Sequence, residues 1–212
     1  CTNKTKINLN IKKNIISFVG KLNSAKGYDI FCKSIVKILN NYPEWKAIVI
    51  GDEPREKIYV KHKNLNLLGF QPHNKVLQLF NKASIAVTCS RWEEPFGRTS
   101  LEASSRGCAV IISNRGGLPE TITNPEILRI LNSKNLYKSI EKLILNKKYR
   151  YDLQSKSINN FYLTNEYISK KKDIYRKKLL QKQIVTKPNN YTQKYKILHI
   201  TNFNERHNGR LF

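Results

Sequence analysis

The fold is decided by the stretch Ile85-Ala-Val-Thr-Cys-Ser-Arg-Trp-Glu-Glu-Pro-Phe-Gly-Arg-Thr-Ser-Leu-Glu-Ala-Ser-Ser-Arg-Gly-Cys-Ala-Val-Ile-Ile112. Two short apolar runs, 85–88 and 109–112, stand at its ends, and a segment of helical character over 100–105 lies between them. Two buried strands joined by a helix form a βαβ unit, in which the strands run parallel. The stretch therefore predicts a parallel sheet covered by helices.

The same alternation continues in both directions along the chain. Short apolar runs predict further strands at 15–19, 47–50 and 65–69 on one side and at 127–130 on the other, and segments of helical period separate them. We therefore expect an α/β domain over residues 12–146, with about six parallel strands and helices on both faces. Open sheets of this kind bind ligands at the carboxyl ends of their strands.

The sequence changes character after this domain. Residues 147–182 are predicted to form closing helices that are strongly basic, because 12 Lys and Arg stand against 3 Asp and Glu between 147 and 187, a local net charge of +9. Residues 183–194 have the composition of a linker. Residues 195–212 begin with an apolar run, which predicts a short terminal strand belonging to a truncated following domain.

Composition limits the classes of function. The chain has 212 residues, 40% of them hydrophobic, and a net charge of +24, which fits a soluble domain with appendages and excludes disorder throughout. No apolar stretch approaches the roughly 18 to 20 residues that cross a bilayer, and no signal segment is present, so a cytoplasmic location is predicted. The charge would attract phosphate-rich ligands, nucleic acid or an anionic membrane surface. The lack of methionine and the start at Cys1 predict an internal fragment.

Cysteines and histidines predict neither a metal site nor a nucleophilic triad, because they show no CxxC and no paired His spacing. We interpret the cysteines as reduced and structural, and the histidines as surface or packing residues. These residues are Cys1, Cys32, Cys89 and Cys108, and His62, His73, His199 and His207.

Two carboxylates lie in the middle of the opening stretch. Glu94 should lie in the loop above the sheet, since Pro95-Phe-Gly97 cannot comfortably continue a helix, while Glu102 lies about a turn inside a helix that begins near Arg98. The free amides of Arg98 and Thr99 form the positive end of that helix, which suits a diphosphate. Because carboxylates accept hydrogen bonds from vicinal hydroxyls, two of them around one diphosphate predict a nucleotide sugar.

A cationic loop, Gly20-Lys-Leu-Asn-Ser-Ala-Lys-Gly27, follows the first strand. Gly20 permits close approach of a ligand to the backbone, and Lys21 and Lys26 can bring two ammonium groups to phosphate oxygens. Neither GxGxxG nor the P-loop order GxxxxGK[ST] is present. A Rossmann dehydrogenase and an NTPase are therefore disfavoured.

Three motifs together resemble a known family. They are Phe18-Val-Gly-Lys-Leu-Asn-Ser-Ala-Lys-Gly27, Glu94-Pro-Phe-Gly-Arg-Thr-Ser-Leu-Glu102 and Gly107-Cys-Ala-Val-Ile-Ile-Ser-Asn-Arg-Gly-Gly-Leu-Pro-Glu120. In this order they are similar to the carboxy-terminal, donor-binding domain of retaining glycosyltransferase family 4. The resemblance covers about residues 12–146. It implies a Rossmann-like half of a GT-B fold, and transfer of a sugar from a nucleotide diphosphate without a metal ion or other cofactor.

The resemblance also implies the role of each site residue. The EX7E pair matches at Glu94, which would bind the donor sugar's hydroxyls, and at Glu102, which would bind the ribose. Lys26 and Lys21 would bind the diphosphate, although the family more usually has Arg at the position of Lys21. In the implied front-face displacement, the leaving diphosphate accepts the acceptor's proton while positive groups stabilise its charge. The expected catalytic residues are Lys21, Lys26 and Glu94, and the expected donor-binding residues are Gly20, Phe96, Gly97, Arg98, Thr99 and Glu102.

Partners and alternatives follow from the same sequence. The family's amino-terminal acceptor domain has no counterpart in the chain, so this fragment is expected to bind donor without transferring it. Glycan assembly at the inner, anionic membrane surface is the predicted setting. A nucleic-acid-binding module is an alternative, because Tyr and Phe are interspersed among the lysines of 147–180, although no specific nucleic acid is expected. A sugar-nucleotide epimerase of the same architecture is another.

Overall fold

The computed structural model describes the backbone of residues 7–185 and the side chains of residues 7–181. They divide into two compact units, one that ends at Lys171 and one that begins at Lys172. Both parts of the sequence that were predicted to carry the ligand site belong to the first unit.

Six strands form one sheet in the order β3-β2-β1-β4-β5-β6, and every neighbouring pair is parallel. The predicted six-stranded parallel sheet is thus confirmed. The strands are β1 (Lys13–Val19), β2 (Lys46–Ile50), β3 (Leu65–Leu67), β4 (Ala83–Thr88), β5 (Ala109–Ser113) and β6 (Glu126–Leu128). The first strand of the sequence lies at the centre of the sheet, between β2 and β4.

Helices connect successive strands, except that residues 51–64 join β2 to β3 without a helix, and three helices follow β6 in the described part of the chain. A short 3-10 turn over Leu9–Ile11 precedes β1. They are α1 (Tyr28–Asn41), α2 (His73–Lys82), α3 (Arg98–Ser105), α4 (Leu118–Thr121), α5 (Ser133–Leu145), α6 (Lys147–Asn159) and α7 (Asn165–Val185). None of the helices within residues 7–185 is both long and apolar enough to cross a membrane.

Apolar layers cover both faces of the sheet. Successive side chains of a strand point to opposite faces, and in β5 Ile111 belongs to one layer while Ile112 belongs to the other. The first layer contains residues of α1 and α5, and the second contains residues of α2, α3 and α4. All five residues of β5 are buried, as expected for a strand covered on both sides. Helices on both faces are therefore confirmed.

Several boundaries differ from the predicted ones: β1 and β4 each begin two residues earlier, at Lys13 and Ala83, and other strand ends shift by one or two residues. Strand β3 ends at Leu67, because Gly69 turns the chain with φ of +63°. Strand β6 covers Glu126–Leu128 and not 127–130, because its last residue pairs with Ser113, where β5 ends. Helix α7 continues to Val185, into the predicted linker 183–194. The remainder of that linker and the predicted terminal strand in 195–212 lie outside the described residues.

Two cations lie against helix carboxyl ends, the half-buried Lys12 and the buried Arg150. The Nζ of Lys12 donates to the carbonyls of Phe80 at 2.7 Å, Ala83 at 2.9 Å and Arg106 at 2.7 Å, at the ends of α2 and α3. Burial lowers the pKa of Lys12, but three carbonyls match the three N–H groups of an ammonium. Arg150, which is 9% exposed, donates to Ile144 O at 3.1 Å near the end of α5.

Three cysteines in the described residues, Cys32, Cys89 and Cys108, are free and buried, as predicted. Burial raises the pKa of Cys32 to about 11 and that of Cys89 to about 12. These thiols are therefore protonated near neutral pH, which suits packing and not nucleophilic chemistry. Cys1 lies outside the described residues.

Candidate functional site

The candidate site lies where β1 and β4 end side by side. After β1 the chain enters α1 on one face of the sheet, and after β4 it enters α3 on the other face. Such a switch point leaves a crevice between two loops at the carboxyl ends of the strands. The loops at this crevice, 20–27 and 89–97, are the ones that carry the predicted cations and the first predicted carboxylate.

The two loops are held together by hydrogen bonds. The carbonyl of Ala25 accepts from the amide of Arg91 at 2.8 Å and from that of Trp92 at 3.1 Å. The guanidinium of Arg91 also donates to both carboxylate oxygens of Asp29, at 2.6 and 2.8 Å. These bonds hold the pKa of Asp29 below its usual value. The spacing between the loops is therefore fixed on both sides of Lys26.

We expect Asp29→Asn to lower the free energy of unfolding at pH 7 by up to about 1 kcal/mol, since the ion pair of Asp29 with Arg91 is bidentate and partly buried. The folded-state pKa of Asp29 is depressed, so its contribution is present above the unfolded value of 3.8 and is lost as pH falls through that value towards the folded one. Urea unfolding at pH 7 and pH 3 should show the difference from wild type shrinking in acid. Asp152→Asn, in an exposed pair with Lys156, is the control and should have little effect; an acid-independent difference for Asp29→Asn would contradict the assignment.

The first predicted cation and the first predicted carboxylate meet in the crevice. The Nζ of Lys26 forms a salt bridge with Oε1 of Glu94, and their side chains are 31% and 13% exposed. Both residues line a cavity of about 70 Å³ between the two loops. The ion pair places two partly desolvated charges of opposite sign at this cavity.

A glycine pair supports the backbone of Glu94 from behind. The amide of Gly117 donates to the carbonyl of Glu94 at 2.6 Å. A Cβ on Gly116 would lie 2.4 Å from that same oxygen, and a Cβ on Gly117 would lie 2.7 Å from Pro95 O. Contacts this close leave room only for glycine, which explains the Gly-Gly of the third motif.

Helix α3 begins between the two carboxylates. Gly97 adopts the left-handed conformation, with φ of +74°, and no side chain caps the helix. The amide of Leu101 makes the first backbone bond of the helix, to Gly97 O at 3.1 Å. The amides of Arg98 and Thr99 precede it and have no intrahelical partner, as at any helix start. Both residues line the 70 Å³ cavity, so the positive end of α3 faces it.

The second predicted carboxylate, Glu102, is only 5% exposed. Its Oε1 accepts a hydrogen bond from Arg98 Nε at 3.0 Å and lies 2.9 Å from His73 Nε2. Glu102 lines a second cavity of about 470 Å³, which Gly20 and Lys21 also line. The two cavities share Gly20 and the start of α3, and therefore adjoin.

The structure brings together all the predicted site residues except Phe96. The residues that line one or both cavities are Gly20, Lys21, Lys26, Glu94, Gly97, Arg98, Thr99 and Glu102. Phe96 lines neither cavity, and its side chain is 38% exposed. A Cβ on Gly20 would meet no atom within 4 Å, which agrees with the predicted open approach to its backbone. The chemical roles of these residues stay predictions.

Sequence reasoning missed His73, which it interpreted as a surface or packing residue. Its side chain is indeed 54% exposed, yet it contacts the buried Glu102. The sequence indicated the position of His73 but not its contact, because His73 begins α2 directly after the loop that follows β3, at the same sheet edge as the other site loops. Within residues 7–181, no group of three or more His, Cys, Asp or Glu could hold a metal ion.

Comparison with curated proteins finds relatives that match about half to three fifths of the chain. Spore coat protein SA of Bacillus subtilis is 30% identical over 123 residues, which cover 52% of this chain and 33% of that protein. The chain spans about a third of the length of the curated relatives it matches.

Solved structures share the fold. The C-terminal domain of a glycosyl transferase group 1 family protein (LpcC) from Francisella tularensis superimposes with a TM-score of 0.63 at 27% identity, covering 68% of this chain and 82% of that one. Anabaena Alr3699/HepE, solved in complex with UDP and glucose, superimposes with a TM-score of 0.67 at 20% identity, covering 80% of this chain and 49% of that one. At that identity the second match shows the fold alone.

The family model described as glycosyl transferases group 1 matches residues 2–160, which include the whole sheet and both cavities. The parallel sheet, the site at its switch point and this match agree with one another. The chain therefore belongs to the glycosyl transferases group 1 family, in which it corresponds to the carboxy-terminal domain of a GT-B glycosyltransferase.

Proposed function

We propose that this domain binds a nucleotide-diphosphate sugar and that the complete protein transfers the sugar, with retention of configuration, to an acceptor. One observation carries the proposal. The salt-bridged Lys26 and Glu94 and the buried Glu102 lie in two adjoining cavities, and the free amino end of α3 stands between them. A diphosphate with a sugar on each side has this distribution of charge and hydroxyl groups.

The diphosphate would occupy the centre of this arrangement. The amides of Arg98 and Thr99 offer hydrogen bonds and the positive end of the helix. Lys21 and Lys26 lie on the facing loop and supply two ammonium groups. In exchanging its bond with Glu94 for one with a phosphate oxygen, Lys26 would also free that carboxylate for the donor sugar.

The nucleoside would lie on the side of Glu102. The cavity of about 470 Å³ there falls within the range of about 300–1,000 Å³ that is usual for small-molecule sites. A buried carboxylate that accepts hydrogen bonds from two adjacent ribose hydroxyls recognises them strongly, because folding has already removed most of its water. UDP and UDP-glucose bind Anabaena HepE, a protein of the same fold, which supports a nucleotide sugar as the ligand.

The chemistry needs positive charge more than a strong base. As the bond from sugar to diphosphate breaks, negative charge grows on the leaving group, and fixed cations and amides stabilise it. The acceptor oxygen bonds to the anomeric carbon on the face that the diphosphate leaves and gives its proton to that diphosphate, so the configuration is retained. Lys21, Lys26 and the α3 amides supply the stabilisation in this scheme without a metal ion.

Transfer itself is proposed for the complete protein. The curated relatives are about three times as long as the matched segment. We place the acceptor site of the complete protein in a part that corresponds to the unmatched part of these relatives. We expect the 212-residue chain alone to bind donor and not to transfer it. The predicted anionic membrane surface, and a cytoplasmic location at it, stay predictions.

Calorimetric titration of the 212-residue chain with UDP-glucose, GDP-mannose and ADP-glucose tests the proposal. We expect saturable binding of at least one donor, weakened about tenfold or more by Glu102→Ala and by Lys26→Ala, since each removes a charged partner. Lys148→Ala is the control for Lys26→Ala, because it removes one positive charge from an exposed position in α6 that lines neither cavity.

Other outcomes identify the alternatives. A folded chain that binds no donor contradicts the proposal. Salt-dependent binding of an oligonucleotide that Glu102→Ala does not change favours the nucleic-acid module. An isomerised sugar nucleotide, formed without any acceptor, favours the epimerase.

A further inference from the structure

The contact between His73 and Glu102 joins two elements that are distant in sequence. His73 is the first residue of α2, and Glu102 lies in α3. Their atoms Nε2 and Oε1 are 2.9 Å apart. Since an ionised carboxylate can only accept, Nε2 carries the proton and donates it. The imidazole therefore acts on the carboxylate from outside the helix that carries it.

The hydrogen bonds to Glu102 are unevenly shared between its two oxygens. His73 and Arg98 both donate to Oε1, and within residues 7–181 we find no hydrogen bond to Oε2. Glu102, Arg98 and His73 all line the 470 Å³ cavity. Two donors on one oxygen fix the rotation of the carboxylate and leave the other oxygen available to a ligand.

His73 and Arg98 reach Glu102 from different elements. Arg98 lies four residues before Glu102 on the same helix and its side chain is 68% exposed. A pair within one helix does not fix the carboxylate relative to any other element. The imidazole donates to Glu102 from another element, α2, and so fixes the position of the carboxylate relative to the cavity wall.

The geometry points to His73 as a positioning residue that orients Glu102 for recognition of the two ribose hydroxyls of the nucleotide. This inference rests on the proposed function, because it concerns the same ligand. It assigns His73 no contact with the reacting atoms. Its consequence is that the preference for a ribose over a sugar without hydroxyls depends on His73.

The test measures that preference directly. The 212-residue chain is titrated with UDP, GDP and ADP, and then with the 2′,3′-dideoxy form of the nucleotide that binds most tightly. We expect the wild type to prefer the ribonucleotide by about tenfold, as for a hydrogen bond to a charged group, and His73→Ala to reduce this preference at least threefold while changing dideoxynucleotide affinity little. His73→Gln, which keeps a donor at a similar reach, should restore the preference.

Controls separate this role from a structural one. Gln78→Ala removes an exposed side chain from the same helix and should leave both affinities unchanged. Thermal unfolding checks that each variant is folded, which the exposed position of His73 favours. A folded His73→Ala with an unchanged ribose preference overturns the inference and leaves the proposed function standing. A wild type that prefers neither form also overturns it, and a wild type that binds no nucleotide overturns both.

Discussion

Gly27→Ala is expected to lower the free energy of unfolding by about 3 to 5 kcal/mol, because strain and overlap add at this position. Gly27 has φ of +72°, in the left-handed region. An added Cβ would lie 1.8 Å from the carbonyl oxygen of Cys89. That oxygen belongs to the backbone of the facing loop, so it cannot move aside as the end of a flexible side chain would.

Gly69→Ala is the matched control. Gly69 has a similar φ of +63°, but a Cβ there would meet no atom within 4 Å. Gly69→Ala should lower the free energy of unfolding by only about 1 kcal/mol, which is the cost of the left-handed backbone conformation alone. Urea unfolding followed by circular dichroism measures both values. Equal losses in the two variants would show that contact with Cys89 is not the reason for glycine at position 27.

Lys12→Met is expected to lower the free energy of unfolding by about 3 kcal/mol or more. The methionine has a similar length but no donor, so the carbonyls of Phe80, Ala83 and Arg106 lose the ammonium they share. The thiol of Cys108 lies within hydrogen-bond distance of Phe80 O and Ala83 O, but its single S–H can satisfy only one of them. Each buried acceptor that is left unsatisfied costs about 1–3 kcal/mol. The negative ends of α2 and α3 would then also face each other without a cation between them.

Lys13→Met controls for the loss of charge, since Lys13 is the neighbouring residue and is exposed. In a chain of net charge +24, removing an exposed lysine should change stability by less than about 0.5 kcal/mol. Unfolding in urea at pH 7 compares the two variants. A loss below about 1 kcal/mol for Lys12→Met would mean that water replaces the ammonium at these carbonyls.

Local patterns were enough to predict most of the fold and most of the site. Apolar runs identified the six strands, and most clearly the four inner ones, which are mostly buried; β5 is buried throughout. Glu94 and Glu102 could be placed because Pro95 to Gly97 fix where α3 begins. In each case the signal and the structure it determines lie within a few residues of each other.

The features that the sequence did not predict depend on contacts between segments that are far apart in the sequence. His73 and Glu102 are 29 residues apart, and no local pattern indicates that α2 and α3 would meet. Lys12 looked like one of many lysines, although three carbonyls from distant segments surround it. The end of β6 was missed for the same reason, because it is set by the length of its partner β5. These features follow from strand order, which periodicity does not contain.

The central position of β1 has a consequence for synthesis on the ribosome. Thr88, the last residue of β4, is added 75 residues after Lys13, the first residue of β1, which takes roughly 4 to 15 s at about 5–20 residues per second. Until β4 has followed it out of the ribosome, β1 can pair only on its β2 side. The nascent chain therefore keeps an apolar strand edge open for seconds, the period in which wrong pairing is easiest. A sugar nucleotide cannot shorten that period, because Glu94 and Glu102, the two carboxylates that would hold it, are made only after β4.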